Sequence, residues 1–205
     1  MAGSCDAPVG DLLRTPGIFR HPGGRRTEKM KNPKNLFLVG PMGAGKSAVG
    51  RHLSRMLHLD FVDSDDEIES RTGVDIPFIF EKEGEEGFRA REARVIDDLS
   101  QLEGIVLATG GGAVLDANSR SRLGARGFVI YLYTSVRQQL ERTHRGRERP
   151  LLGSGDRAEV LERLMSERDP LYREIADLVI NTDGRRVQTV AREIQQALAD
   201  SSRVL

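Results

Sequence analysis

Residues 35–47, Asn-Leu-Phe-Leu-Val-Gly-Pro-Met-Gly-Ala-Gly-Lys-Ser, constrain this chain more than any other stretch. The apolar run from Leu36 to Val39 breaks at Gly40, crosses a glycine-rich turn and re-emerges at Lys46. From there Val49, Leu53, Met56 and Leu57 recur at helical spacing. Strand, loop and helix around G-x-x-x-x-G-K-S predict a phosphate-binding loop. Glycines let the backbone approach an anion closely and turn its N–H groups inward. The helix that follows adds its positive N-terminal end. In such a loop Lys46 reaches the β- and γ-phosphates of a nucleotide, and the Ser47 hydroxyl ligates Mg²⁺. The alternative, an ordinary glycine-rich turn with a surface lysine, does not account for the flanking strand and helix.

Four further apolar runs accompany the first. Residues 59–63 read as a short strand ending in Asp63-Ser64-Asp65-Asp66, and residues 105–109 as a continuous run ending in Gly110-Gly111-Gly112. Residues 128–132 and 178–181 complete the set. Continuous apolar runs suit strands buried on both faces of a parallel sheet. A long helical pattern runs from Glu85 to Leu102, with Phe88, Val95, Ile96 and Leu99 on its apolar face. Others contain Val136 and Leu140, then Leu164, Met165 and Arg168. The alternation predicts an α/β, three-layer α/β/α domain with a five-stranded parallel, doubly wound sheet. One domain over residues 34–205 is expected. Residues 1–33, rich in Gly, Pro and Arg without periodicity, read as a flexible extension with no assigned chemistry. They hold no long apolar segment, and Asp6, Asp11 and Glu28 argue against a transit peptide.

Basic and acidic residues balance at 31 each, so no global field draws the chain to nucleic acid or a membrane. No apolar run approaches a membrane span. The lone Cys5 cannot form an internal disulfide, and a cytosolic (cytoplasmic) protein is expected. His21, His52, His58 and His144 show no metal-ligand spacing, which predicts no zinc site.

Asp63 and Asp65 stand at the C-terminal end of the second predicted strand. Asp63 or Ser64 can cap a helix in which Glu67 and Ile68 follow favourably. Capping accounts for one carboxylate but not readily for two at the sheet edge where ligands sit. Arg89 and Arg91 lie among glutamates, which reads as i,i+4 pairing on a solvated face. The triple glycine is either a mere turn or a close backbone approach to a ligand. Arg142, Arg145, Arg147 and Arg149 read as a solvated loop, a nucleic-acid patch, or a lid that folds over a triphosphate and excludes water. A guanidinium that stays charged and binds oxygens bidentately suits the lid, and the phosphate loop favours it.

Together these stretches resemble the shikimate kinases, within the P-loop nucleoside monophosphate kinase-like group. The resemblance rests on Gly40-Pro-Met-Gly-Ala-Gly-Lys-Ser47, Asp63-Ser-Asp65, Gly87-Phe-Arg89-Ala-Arg-Glu92, Gly110-Gly-Gly112, Arg149-Pro-Leu-Leu152 and Arg168-Asp-Pro-Leu-Tyr172. These occur in the family's order over about residues 35–200. The loop alone is common to many NTPases, whereas the conjunction is far more specific. The resemblance implies strand order 2-3-1-4-5, a shikimate-binding region at about 63–95 and a mobile lid at about 142–156.

It further implies ATP binding by Gly43, Ala44, Gly45, Lys46, Ser47 and Ala48, with Ser47 and Asp63 attending Mg²⁺. Asp65, Arg89, Gly110, Gly111, Gly112 and Arg168 would bind shikimate, the arginines holding its carboxylate and Asp65 a ring hydroxyl. Arg149 would meet the transferring phosphoryl group, and Arg142 and Arg185 would flank adenine. Lys46, Asp65 and Arg149 are the implied catalytic residues. One departure is Ala48, where many members carry a threonine able to contact the α-phosphate. The implied activity is transfer of the ATP γ-phosphoryl group to the 3-hydroxyl of shikimate. ATP and shikimate are the expected partners of a monomer, with no nucleic acid or membrane. Alternatives are a gluconate kinase-like or nucleoside monophosphate kinase specificity, or a non-catalytic ATP- or metabolite-binding module. Such a module would be marked by loss of Lys46, Asp65 or Arg149, all of which are present. Nucleic-acid binding through the arginine cluster would be salt-sensitive.

Overall fold

All four residues of Leu36–Val39 (β1) are buried, as a strand apolar on both faces requires. In the computed structural model, which describes residues 34–143 and 156–203, β1 lies at the centre of the sheet. It pairs in parallel with Ile105–Ala108 (β3) on one side and Phe128–Tyr133 (β4) on the other. Asp60–Asp63 (β2) and Leu178–Asn181 (β5) form the edges, giving the order β2-β3-β1-β4-β5 with every pairing parallel. Asp63 is in register with Ala108, Ala108 with Leu38, and Val39 with Tyr131. The C-terminal ends of β2, β3 and β1 therefore share one edge, where ligands bind in such sheets.

The helices among the described residues are Lys46–Leu57 (α1), Ser64–Thr72 (α2), Ile76–Leu99 (α3), Ala117–Arg126 (α4), Val136–Thr143 (α5), Arg157–Ile175 (α6) and Val187–Arg203 (α7). Strand side chains alternate between two cores, as the period of two requires. Leu36, Leu38, Ile130 and Leu132 pack with Val49 and Leu53 of α1 and Val190 and Ile194 of α7. Phe37, Val39, Leu107 and Tyr131 pack with Ile68, Phe88, Ile96, Leu123 and Tyr172 on the opposite face. The sheet is thus sandwiched between helical layers, as expected.

Two helices differ from the sequence pattern. The helix expected from Glu85 to Leu102 begins at Ile76 and ends at Leu99. Asp75 caps its start by accepting the Phe78 N–H at 3.0 Å, and Pro77 sits in the first turn, where its missing N–H costs nothing. Gly84 interrupts it with φ 69° and ψ −175°, a left-handed conformation that favours glycine. The helix expected through Arg168 continues past Pro170 to Ile175.

The N-terminal stretch 1–33, with Cys5 and His21, lies outside the described residues. So do His144, Arg145, Arg147 and Arg149. No described helix is long and apolar enough to cross a membrane.

Gly40 ends β1 with φ 142°, and a Cβ there would come within 2.5 Å of the Leu132 carbonyl oxygen on β4. Gly40→Ala should therefore destabilise the fold by about 2 kcal/mol or more, from backbone strain plus overlap with a neighbouring strand. A urea denaturation midpoint equal to that of the parent protein would contradict this.

Candidate active site

The phosphate loop is built from three residues in positive φ: Gly40 at 142°, Gly43 at 79° and Gly45 at 87°. Gly45 caps α1, which has no side-chain cap and no acidic residue in its first turn. The helix thus presents its positive end and first-turn N–H groups with no carboxylate competing for them. Lys46 folds back over the loop, its Nζ donating to Gly40 O at 2.7 Å and Pro41 O at 2.9 Å. Backbone amides, a helix start and an ammonium group are thereby concentrated around one turn, an arrangement suited to phosphate.

Ser47 joins this cradle to the neighbouring strand. Its Oγ donates to Asp63 Oδ2 at 2.6 Å, while Asp63 Oδ1 accepts the Asp65 N–H at 3.0 Å. Asp63 therefore both caps α2, as its sequence position suggested, and contacts the phosphate loop. Hydroxyl and carboxylate oxygens are the donors Mg²⁺ prefers, and a pair supplemented by phosphate and water is its usual protein complement. The Ser47–Asp63 pair fits that ion.

One cavity of about 470 Å³ brings the predicted acceptor-binding residues against Met42 and Ser47 of the phosphate loop, while Gly43–Lys46, Ala48, Arg142 and Arg185 are not part of its lining. Met42, Ser47 and Asp63 line it together with Asp65, Arg89, Gly110–Gly112 and Arg168. Arg89 is not on a solvated face as its sequence neighbours suggested; its side chain is only 20% exposed. Its Nη1 donates to Glu92 Oε2 at 2.6 Å and its Nη2 to Glu85 Oε1 at 2.9 Å. Burial would lower its pKa, but Glu92 and Glu85 outweigh that and hold it above the ordinary arginine value. Arg168, on α6, is buried, and its Nε has no hydrogen-bond partner among the described residues. Two guanidinium groups lining one pocket favour a carboxylate ligand.

Glu92 is a charged cavity residue that sequence reasoning left without a role. It is buried, with Oε1 unpartnered among the described residues and Oε2 bonded to Arg89. Burial pushes its carboxyl pKa up, while Arg89 and Arg168 pull it back down. A signal was present: position 92 falls on the apolar stripe with Phe88, Val95, Ile96 and Leu99, so its charge had to be buried.

The triple glycine is required by side chains as well as by any ligand. A Cβ on Gly110 would overlap Glu92 Oε1 and come within 2.7 Å of Asp65 Oδ1. One on Gly112 would overlap the Arg89 guanidinium, and one on Gly111 would lie 3.5 Å from the Met42 amide of the phosphate loop. This loop therefore packs between the cradle and the acid pocket.

Arg142 and Arg185 both bind carbonyl groups at the end of β5. Arg142 donates to Gly43 O at 3.0 Å and to Thr182 O at 2.7 Å, and Arg185 donates to Asn181 O at 3.0 Å. Ala44 is buried beneath the loop and Ala48 is exposed on α1. Arg149 lies outside the described residues, but the flanking helices are tied together by Arg157 Nη2 donating to Thr143 O at 3.2 Å.

A phosphate cradle and a carboxylate pocket sharing one cavity at the C-terminal edge of a parallel sheet define a P-loop phosphotransferase for a small acidic acceptor. Comparison with known proteins narrows the class. The shikimate kinase family pattern matches residues 42–199. The shikimate kinase of Halorhodospira halophila is 59% identical over 168 residues, covering 82% of this chain and 95% of that protein. The solved structure of Acinetobacter baumannii shikimate kinase in complex with shikimate superposes with a TM-score of 0.81 at 48% identity, covering 87% of this chain and 99% of that one. A Sinorhizobium meliloti gluconokinase structure, at 16% identity and a TM-score of 0.53, shares the fold. The chain belongs to the shikimate kinase family.

Because Gly112 is held against Arg89, Gly112→Ala should displace that guanidinium. The expected result is a roughly tenfold or larger rise in KM for shikimate, the effect of weakening hydrogen bonds to a charged group. KM for ATP should stay within about twofold, and an unchanged shikimate KM would show that Arg89 is not held by this contact.

Proposed function

We propose that this protein transfers the γ-phosphoryl group of ATP to the 3-hydroxyl of shikimate, giving shikimate 3-phosphate and ADP. The observation that carries the reading is the single cavity in which Ser47 and Asp63 meet Asp65, Arg89 and Arg168. Residues 34–205 act as one kinase domain, with residues of about 63–95 receiving shikimate and about 142–156 serving as the lid.

Gly43 through Ala48 hold the ATP phosphates through backbone N–H groups and the α1 dipole, with Lys46 moving from its loop carbonyls to the β- and γ-phosphates. Arg142 and Arg185 flank the adenine. Ser47 and Asp63 would hold Mg²⁺, which when bound neutralises charge on the phosphate oxygens. Arg89 and Arg168 hold the shikimate carboxylate, and the backbone of Gly110–Gly112 closes on the ring. Asp65 orients the attacking hydroxyl and accepts its proton as the oxygen bonds to phosphorus. Phosphoryl transfer passes through a loose, in-line transition state, so orientation and charge stabilisation dominate over proton removal. Arg149 supplies positive charge to the transferring group, and lid closure excludes water that would otherwise take the phosphoryl group.

Steady-state ADP release, measured with shikimate, quinate and gluconate in turn, tests the assignment. Only shikimate should accelerate turnover; acceleration by gluconate alone would transfer the protein to that specificity. Asp65→Asn should retain ATP binding while losing turnover by about a hundredfold or more. Unchanged turnover would remove Asp65 from the reaction. Arg89→Ala should raise the shikimate KM by about tenfold or more through loss of a charge-assisted contact, and an unaltered KM would refute the carboxylate assignment.

A further inference from the structure

Two buried hydroxyl groups outside the assigned site hold the triple-glycine loop, one from α2 and one from α6. Ser64 is fully buried, and its Oγ accepts the Gly110 N–H at 2.8 Å. It sits between Asp63, which contacts the phosphate loop, and Asp65, which lines the cavity. Tyr172 is likewise fully buried, and its hydroxyl donates to the Gly111 carbonyl oxygen at 2.5 Å. Tyr172 lies one helical turn beyond Arg168 on α6, so both project from the same face.

The anchor on the α6 side is itself braced. The Tyr172 ring stacks on Tyr131 of β4 with centroids 4.9 Å apart. Tyr131 donates its hydroxyl to Asp169 at 2.7 Å, and Asp169 also accepts from Arg173 at 2.7 Å. Burial pushes the Tyr172 phenol above its usual pKa while Arg168 pulls the other way, so the hydroxyl keeps the proton it donates. The consequence is a continuous path from Asp65 through Ser64, Gly110, Gly111 and Tyr172 to Arg168.

We propose that Ser64 and Tyr172 are positioning residues for the acid substrate: their hydroxyls pin Gly110 and Gly111 between the helix carrying Asp65 and the helix carrying Arg168, fixing the separation of the hydroxyl and carboxylate subsites. The inference rests on the functional reading above. Neither residue touches the reacting groups; each acts through the loop. Glycine has no side chain to wedge itself in place, so a loop of three glycines needs outside anchors to keep one conformation. Losing an anchor enlarges the set of loop conformations and weakens the state that receives shikimate.

The test uses the full-length protein and the variants Tyr172→Phe, which retains the ring stacking, and Ser64→Ala. Steady-state KM values for shikimate and for ATP are measured separately, with the thermal midpoint recorded for each variant. Each variant should raise the shikimate KM about threefold to tenfold, the magnitude of one neutral hydrogen bond, and leave the ATP KM within about twofold. A merely structural role would lower the thermal midpoint and leave the two KM values unchanged or shifted together. Either of those kinetic patterns overturns the proposal. Should Tyr172→Phe fail to fold, Ser64→Ala decides alone: a selective rise in shikimate KM supports the anchoring, and parental values refute it. Parent protein that shows no shikimate-dependent ADP release would instead refute the functional reading, a result read before any variant is made.

Discussion

The carboxylate of Asp63 joins the two halves of this molecule. One oxygen accepts from Ser47 on the phosphate loop, and the other accepts the backbone N–H of Asp65 at the start of α2. A single side chain thus fixes the phosphate loop relative to Asp65, which lines the cavity. The sheet makes this possible, because parallel order places the ends of β1 and β2 on one edge with only β3 between them. The glycine loop after β3 then fills the gap between those ends. Phosphoryl transfer depends on such fixed placement more than on any covalent chemistry by the protein.

Burying charged side chains in the wall of a pocket has a cost. Glu92 and Arg168 are both buried, each with a polar atom left unpartnered among the described residues. Unsatisfied buried groups destabilise a fold by about 1–3 kcal/mol each, so core packing must offset the arrangement. The two apolar clusters on either face of the sheet do so. Glu92 Oε2 accepts from Arg89, which satisfies one of the guanidinium groups that line the cavity. Local strain is concentrated in glycines, where φ values such as that of Gly40 carry no side-chain penalty.

Much of this was readable in the sequence because the strongest signals are local. Apolar runs, or for β2 a short Leu-Asp-Phe-Val-Asp stretch, marked all five strands to within a residue at either end, and the glycine spacing marked the phosphate loop. Asp63 and Asp65 could be placed at a ligand-bearing edge because they end a strand. What the sequence concealed depends on three-dimensional neighbours. Arg89 reads as a surface ion-pair residue, since its glutamate spacing is the same whether the helix face meets water or a cavity. Residues 76–80 carry the β-branched and aromatic composition of a strand, yet the Asp75 cap and the following helix decide their conformation. The requirement for glycine at 110 and 112 comes from Glu92, Asp65 and Arg89, which lie many residues away along the chain. Ser64 and Tyr172 stood in the stretches that carry the resemblance, yet their anchoring role gave no sign, because an anchoring hydroxyl is visible only with its partner in place.

The central claim is that cradle and acid pocket present their ligands to one another across a single cleft. A crystal structure with a non-hydrolysable ATP analogue, Mg²⁺ and shikimate tests it most directly. The 3-hydroxyl oxygen should lie about 3–3.5 Å from the γ-phosphorus, the separation of a reactive pair, with the carboxylate on Arg89 and Arg168. Shikimate bound outside that cavity, or held with its 3-hydroxyl turned away from the nucleotide, would contradict the account.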